Sequence, residues 1–310
     1  VTSEFVPPHP RNPGDAWVFA DDGSKYWGRF GAAGLLAVDP HRGVLLQHRA
    51  LWSHFGGTWG LPGGARHEGE TAVDGAIREA SEEAAVDPDA VRSRFSHTLD
   101  LDIWSYVTVV ADVVAPFEPQ VADPESLEIR WVPVDEVGEL PLHPGFGRMW
   151  PALRRDLAFR PVLLVDMANV VGSRPDGWWN DRAGAAERLG AQLSRFATVG
   201  VTADALDLPQ SHWWPEILAV LEGQANGAVL GETDRLHVIR AETDGDSRIV
   251  DEVSRLAALP GASVITVVTS DRGLRARVEA LGARTRGAGW LLDLLDGIGP
   301  SRRDEDSGAR

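Results

Sequence analysis

Residues 64 to 86 read GARHEGETAVDGAIREASEEAAV, and the spacing of the ionisable residues in this stretch organises the reading of the whole chain. Gly64 is followed after five residues by Glu70, and after seven more by Arg78-Glu79. Ala80-Ser81-Glu82-Glu83 completes the run, with Ala85 and Val86 behind it. Thr71 is placed to cap a helix N-terminus, with Asp74 three residues on as the acidic partner of a capping box. Val73, Ile77, Ala80 and Ala84 recur at steps of four, three and four and so share one helix face. Glu79, Glu82 and Glu83 fall on roughly the opposite face. Three carboxylates placed together repel one another unless a positive charge sits among them. Hard oxygen donors of this kind suit Mg2+ or Mn2+, ions that also bind phosphate oxygens. Such an ion neutralises pyrophosphate charge and lowers the pKa of a bound water. Gly63-Gly64 lets the backbone turn tightly and approach a ligand closely.

This spacing resembles the Nudix box, G-x5-E-x7-R-E-U-x-E-E-x-G-U with U aliphatic, the signature of hydrolases that cleave a nucleoside diphosphate linked to another group. Ala80 and Val86 fill aliphatic slots, and Ala85 departs from the pattern by replacing its second glycine. A solvated acidic helix face would explain the glutamates alone. It does not explain Gly64, Glu70, Arg78 and the Glu82-Glu83 pair falling in one register. The resemblance implies a small α/β/α sandwich over residues 26–158 that binds Mg2+ or Mn2+. It assigns Glu79, Glu82 and Glu83 to the metal, with Glu82 either a further ligand or the group that positions the attacking water. Arg78 and Glu70 would hold helix and loop in register, and Gly63 and Gly64 would form the phosphate loop. The implied substrate is a nucleoside diphosphate derivative or an oxidised or ordinary nucleoside triphosphate. A nucleotide-sensing role without turnover is the alternative. A further carboxylate from outside the box is expected, and Glu125 and Glu128 are nearest, though each also reads as a solvated loop acid.

Composition sets the outer bounds. A chain of 310 residues suggests about two domains of ~150 residues. The absence of cysteine excludes disulfides, a thiol nucleophile and thiolate zinc sites. The formal charge of −16 argues against broad binding of duplex DNA. Lys25 is the only lysine and follows no glycine-rich loop, so a Walker A site is excluded. No apolar run approaches a membrane span, and the first residues lack the basic and apolar regions of a signal peptide. No membrane association and a cytoplasmic location are the expectations.

Residues 1–25 read as an extended lead-in. Within 26–158, Gly34–Val38 and Val44–Arg49 read as strands around the turn Asp39 to Gly43, Ile103–Val114 and Glu128–Val132 as further strands, and Met149–Leu157 as a closing helix. From 160 to 298 the pattern changes. Val162 to Asp166 is an apolar run ending in an acid, as in a buried parallel strand. Helical stretches are expected at Gly184–Phe196, Trp214–Glu222, Ile249–Leu259 with a stop at Pro260, and Ser270–Leu281. Strands are expected near Val199–Val201, at Leu236–Ile239 and at Ser263–Val268, and a short closing element at Trp290–Leu295. This alternation predicts a parallel sheet covered on both faces. Residues 299–310 are charged and expected to be disordered.

In such sheets functional groups gather at the carboxyl ends of strands. Asp166 and Asn169, then Asp246, then Asp271 stand at those ends in chain order. The order resembles the PIN-like nucleases and within them the NYN branch, with VTSDRGL at 268–274 the best local match. The resemblance implies a carboxylate cluster that holds Mg2+ or Mn2+ and acts on RNA through activated water. Many relatives carry two adjacent acids at the mid-domain helix, whereas Ser247 follows Asp246 here. Asp246 and Asp271 also stand where an aspartate would cap a helix. Trp178-Trp179 and Trp213-Trp214 read either as base-stacking pairs or as core. His48, His54 and His67 match no metal spacing.

Overall fold

The structure is a computed structural model that describes residues 13–175, 177–259 and 262–298. The described residues divide into two compact units, one running through Leu157 and taking in Thr202–Trp213, the other Ala158–Val201 with the residues from Trp214 onward. The charged segment 299–310 and Pro260 lie outside the described residues.

The first unit opens with a hairpin of β1 (Trp17–Phe19) and β2 (Lys25–Trp27), so the later part of the expected extended lead-in is a paired ribbon. Trp17 packs edge-on against Trp27, and Tyr26 stacks on Trp104 at 4.8 Å, which supplies the apolar contact a two-stranded ribbon needs. Next come β3 (Ala32–Asp39), β4 (Gly43–Arg49), β5 (Trp59–Gly60), β6 (Gly63–Ala65) and α1 (Ala72–Ala84). After α1 the chain forms β7 (Val91–Asp100), β8 (Ser105–Val113), β9 (Ser126–Val132) and α2 (Pro144–Asp156). The turn from β3 to β4 is held by Asp39, whose Oδ1 accepts the backbone N–H groups of His41 and Arg42. The β3–β8 pair is parallel, and β3 also pairs antiparallel with β4 and β6.

α1 lies on one face of this mixed sheet. Ala76, Ala80 and Ala84 are fully buried against Ala33, Leu35, Val107 and Val109, with Val73 and Ile77 at the margin. Alanines on the helix let it approach β3 closely. α2 buries Phe146, Trp150 and Leu153, spaced four and three apart on one face. It begins at Pro144 with His143 as its cap, one turn before the expected Met149.

The second unit contains β10 (Phe159–Asp166), α3 (Met167–Gly172) and α4 (Arg182–Val199). β11 (Val201–Thr202) and β12 (His212–Trp213) then join the first sheet, where β12 pairs with β7. Trp213 is fully buried there against Phe95, and its indole N–H donates to Pro209 O at 2.7 Å. A core role for Trp213 follows. The second unit resumes with β13 (Glu216–Leu221), β14 (Leu236–Arg240), α5 (Gly245–Ala257), β15 (Ala262–Val268), α6 (Arg272–Glu279), β16 (Arg284–Arg286) and α7 (Ala288–Gly297).

The five strands lie in the order β14-β13-β10-β15-β16, and every pairing is parallel. Within 214–222, Glu216–Leu221 is therefore a strand and not the expected helix. Ile217 to Leu221 is buried throughout between two neighbours, so the run carries no periodicity that would separate it from a buried helix. Likewise Val199 ends α4 and is not a strand residue. α5 and α6 cover one face, where Val162, Leu164, Ile249, Val253, Val267 and Leu274 share a core. α3, α4 and α7 pack against one another and onto the rest of the sheet. No helix among the described residues is long and apolar enough to cross a membrane.

Candidate active site

The residues of the Nudix-like stretch are brought together by the pairing of β6 with β3 and by the packing of α1. Gly34 faces Gly63 and Ala33 faces Gly64 across the two strands. A Cβ at Gly63 would lie 2.5 Å from Ala33 O, so only glycine permits this approach. A Cβ at Gly64 would lie 2.8 Å from the Glu79 carboxyl, which is how closely β6 and α1 meet. Thr71 caps α1 as its position predicts, accepting the N–H of Asp74 at 3.1 Å and donating to the Asp74 carboxylate at 2.6 Å.

Arg78 is the hub. Its Nε and Nη2 donate to the two oxygens of Glu70 at 2.8 and 3.1 Å, a bidentate pair. Its Nη1 donates to Glu79 at 2.8 Å and to Glu82 at 3.1 Å, and Nη2 also reaches Ala65 O at 2.9 Å. Glu70 additionally accepts the His67 backbone N–H at 2.9 Å. Loop, strand and helix are thus joined through one guanidinium. Burial works against the Glu70 charge, but the hydrogen bonds from Arg78 and His67 outweigh it and hold the carboxyl below its ordinary range.

The three glutamates are not equivalent. The Glu82 side chain is 60% exposed, whereas those of Glu79 and Glu70 are 16% and 13% exposed. Glu83 is buried, so the alternative of a solvated acidic face does not describe it, and its Oε2 accepts the Gly63 N–H at 2.8 Å. The 3.6-residue period carries position 83 round toward the sheet edge, where β6 waits. Burial raises Glu79 to about 7, offset in part by Arg78. Burial and the neighbouring Glu79 charge raise Glu83 to about 8.

Among the described residues no group of three or more His, Asp or Glu side chains is placed to hold a metal ion. The donor chemistry nonetheless fits a hard divalent cation. Half-buried Glu79 and buried Glu83 are neighbouring carboxylates whose pKa values are raised first by burial, and a cation beside them would favour their charged forms. Glu125 also raises Glu83 through its charge, so it stands near the site, and its carbonyl accepts the Ala50 N–H at 2.7 Å. Glu128 lies half exposed on β9 beside Arg130. The two acids that sequence spacing could not separate are separated by the fold.

Two neighbours carried no sequence signal. The Arg49 charge acts on Glu83, Tyr106, His54 and His143, and its Nε donates to His54 O at 3.1 Å. The Tyr106 hydroxyl is so close to Gly34 that a Cβ there would lie 2.2 Å from it. Burial pushes the Tyr106 phenol well above its ordinary range. His54, Phe55 and His143 form an edge-to-face aromatic row beside Arg49, with Phe55 46% exposed. His48 stacks on Trp59, and His67 contributes its backbone to Glu70.

The sequence-selected residues of the second unit also converge. Asp166 caps α3, accepting the Asn169 N–H at 3.1 Å and the Thr269 hydroxyl at 2.8 Å. Asn169 Oδ1 accepts the Ser270 N–H at 2.8 Å, tying α3 to the segment just past β15. Asp271 caps α6 as expected. Asp246 does not cap α5: Asp244 does, accepting the Ser247 N–H at 2.7 Å, which leaves the Asp246 carboxyl to face the other acids. Burial raises Asp166, reinforced by Asp246 and Glu222, and burial raises Asp246, reinforced by Asp271 and Glu222. Glu222, at the end of β13, escaped the sequence reading because its strand reads as a helix. It accepts the Gly245 N–H at 2.6 Å. Trp178 and Trp179 meet edge-on at 6.1 Å, and Trp179 is 60% exposed.

Known proteins share the sequence of the first unit. The NUDIX domain family profile matches residues 28–155, and the chain belongs to the Nudix hydrolases, enzymes that act on phosphorus anhydrides. The putative 8-oxo-dGTP diphosphatase 3 of Mycobacterium tuberculosis is 48% identical over 166 residues, which cover 50% of this chain and 76% of the relative. A nucleoside triphosphate pyrophosphatase/Nudix hydrolase fusion protein of Bifidobacterium longum is 44% identical over 147 residues, 45% of this chain and 30% of the relative. Among solved structures, the Nudix hydrolase RenU of M. smegmatis is 45% identical, spanning 47% of this chain and 96% of that one with a TM-score of 0.43.

Proposed function

We propose that the first unit is a Mg2+- or Mn2+-dependent pyrophosphohydrolase of nucleoside triphosphates, oxidised ones included, or of related nucleoside diphosphate derivatives. The observation that carries this reading is half-buried Glu79, clamped by Arg78, beside buried Glu83, both set against the Gly63-Gly64 backbone. The name of the M. tuberculosis relative points to an oxidised deoxynucleotide as the first substrate to try.

Glu79 and Glu83 would hold the metal, which supplies charge neutralisation of the phosphates and an acidified water. The chain's own work is positional. Arg78 fixes Glu79 through one nitrogen and Glu70 through two, so the carboxylate is aimed before substrate arrives. Gly63 N–H holds one oxygen of Glu83. Glu82, the most exposed of the three, is free to be a further ligand or to orient the attacking water. Glu125 is the better placed of the outside acids to contribute a further oxygen. Arg49 and the Phe55 row would meet the phosphates and the base. A nucleotide-sensing role remains the alternative, and buried carboxylates beyond what binding requires weigh against it.

The test is a phosphate- and pyrophosphate-release screen with Mg2+ and with Mn2+. It covers nucleoside triphosphates, oxidised triphosphates and nucleotide sugars, with Glu83→Gln as the control. Turnover on one class, lost in the variant, is the expected result. Nucleotide binding without turnover on any class would replace the reading by the sensing one.

A second reading concerns the second unit. We propose a PIN-like domain of the NYN kind acting on RNA, supported by the parallel sheet and by Asp166, Asp246, Asp271 and Glu222 acting on one another's charge at the carboxyl ends of its strands. A metal-dependent cut in single-stranded RNA, abolished by Asp166→Asn, is the expected result. Cleavage that survives Asp166→Asn would remove the assignment.

A further inference from the structure

On the face of the second sheet formed by α3, α4 and α7 lies a cavity of about 670 Å³. One part of its wall is apolar, made by Val170 and Val171 of α3, Leu189 of α4 and Leu292 of α7. The other part carries Arg174, Arg188 and Arg195 together with Gln192. In a chain with a formal charge of −16, three guanidinium groups gather on one cavity.

The arrangement follows from helix geometry. Arg188, Gln192 and Arg195 stand four and three residues apart, so they form one stripe along α4. The stripe is about 10 Å long at ~1.5 Å rise per residue. Arg174, just past α3, leans onto it: its Nη1 donates to Gln192 Oε1 at 3.1 Å, and its Nη2 pairs with the exposed Asp296 at 3.0 Å. Arg188 has no hydrogen-bond or carboxylate partner among the described residues. Its charge is not consumed by the fold.

We infer that this cavity is a second nucleotide site, taking a nucleoside di- or triphosphate with its base and sugar on the apolar wall and its phosphates on Arg188 and Arg195. The size suits such a ligand, since small-molecule sites run to roughly 300–1,000 Å³ and combine an apolar lining with a few placed polar groups. Arginine presents planar paired donors that match phosphate oxygens. The apolar wall gives no reason to bind a bare anion, and the guanidinium stripe none to bind an uncharged ring. A molecule carrying both parts satisfies both. Its lining offers cations and no acid cluster, so it holds phosphates without a metal.

The test is titration calorimetry of the full chain with ATP in the presence of EDTA. The parent, Arg188→Gln/Arg195→Gln, Arg188→Glu/Arg195→Glu and Glu83→Gln are compared, with far-ultraviolet circular dichroism as the control for folding. Loss of ATP affinity by about tenfold or more in the charge-reversed variant is expected, a smaller loss in the glutamine variant, and no loss in Glu83→Gln. Pyrophosphohydrolase turnover is expected to be unchanged in both arginine variants, which separates failure here from failure of the activity proposed above. Equal affinity in parent and Arg188→Glu/Arg195→Glu overturns the inference. Inorganic tripolyphosphate binding as tightly as ATP overturns the role given to the apolar wall. A single-stranded oligonucleotide that binds through these arginines where ATP does not overturns the small-ligand assignment.

Discussion

Ala85→Gly is expected to stabilise the first unit by about 1 kcal/mol, and the reason lies in one backbone angle. Ala85 follows the last residue of α1 with φ 54° and ψ 34°, the left-handed region. Its N–H accepts no alternative geometry cheaply, because it donates to Ser81 O at 3.1 Å while Val86 N–H returns to Ala80 O at 3.2 Å. An L-residue with a Cβ is disfavoured there by roughly 1–2 kcal/mol. Glycine removes that cost but enlarges the conformational freedom of the unfolded chain, a loss of about 0.4–1 kcal/mol. The residue is exposed, so no packing is lost. The balance is a gain of about 1 kcal/mol. In urea it would move the midpoint upward by about 0.4 M for a slope of ~2–3 kcal/mol/M. The measurement is the transition of the first unit in parent and variant, compared at equal slope. Ala85→Val, with a branched side chain at the same angle, is expected to move the midpoint down. Turnover should be unaffected by Ala85→Gly, because Glu83 is held from the other side by Gly63 N–H. A variant no more stable than the parent would refute the view that the departure from the family glycine is strain retained at the helix end.

Three other outcomes follow from the site. Arg78→Lys replaces a fork that reaches Glu70, Glu79 and Glu82 with a single ammonium, so turnover should fall by about 10–100-fold and the Mg2+ needed for half-maximal rate should rise; unchanged kinetics would remove Arg78 as the positioning residue. Gly64→Ala drives a Cβ to 2.8 Å from the Glu79 carboxyl, and because a flexible side chain yields more easily than backbone, activity should drop while Tm holds; a well-ordered Glu79 with full activity in that variant would contradict the geometry. The metal-free protein should lose stability as pH rises. Glu79 and Glu83 are raised from 4.5 to about 7 and about 8, so the folded state keeps protons the unfolded state has released. The contribution is fully present below about pH 4.5 and is lost as pH passes through 7 to 8. Mg2+ should offset the loss most at the alkaline end, and denaturation at stepped pH with and without the ion checks the sign.

The sequence alone determined the parts of this protein whose information is local. Thr71 and Asp74 mark a helix start, the alanine step marks its buried face, and Gly64, Glu70, Arg78 and Glu79 stand in the register of the Nudix box. Asp166, Asn169 and Asp271 were legible for the same reason, each lying just after an apolar run. Tertiary structure decided what depends on residues far apart in the chain. Glu83 is buried because β6 pairs with β3 and brings Gly63 against it, and its raised pKa follows from that burial. Glu125 rather than Glu128 stands near the carboxylates because of the path of the chain into β9. Residues 216–221 are a strand because neighbours cover both sides, and Glu222 joins the acids of the second unit only as a consequence. Periodicity reports which side of an element is buried, and it falls silent where every side is. Capping and spacing act within a few residues, whereas desolvation and charge proximity are set by whichever segments the fold places together.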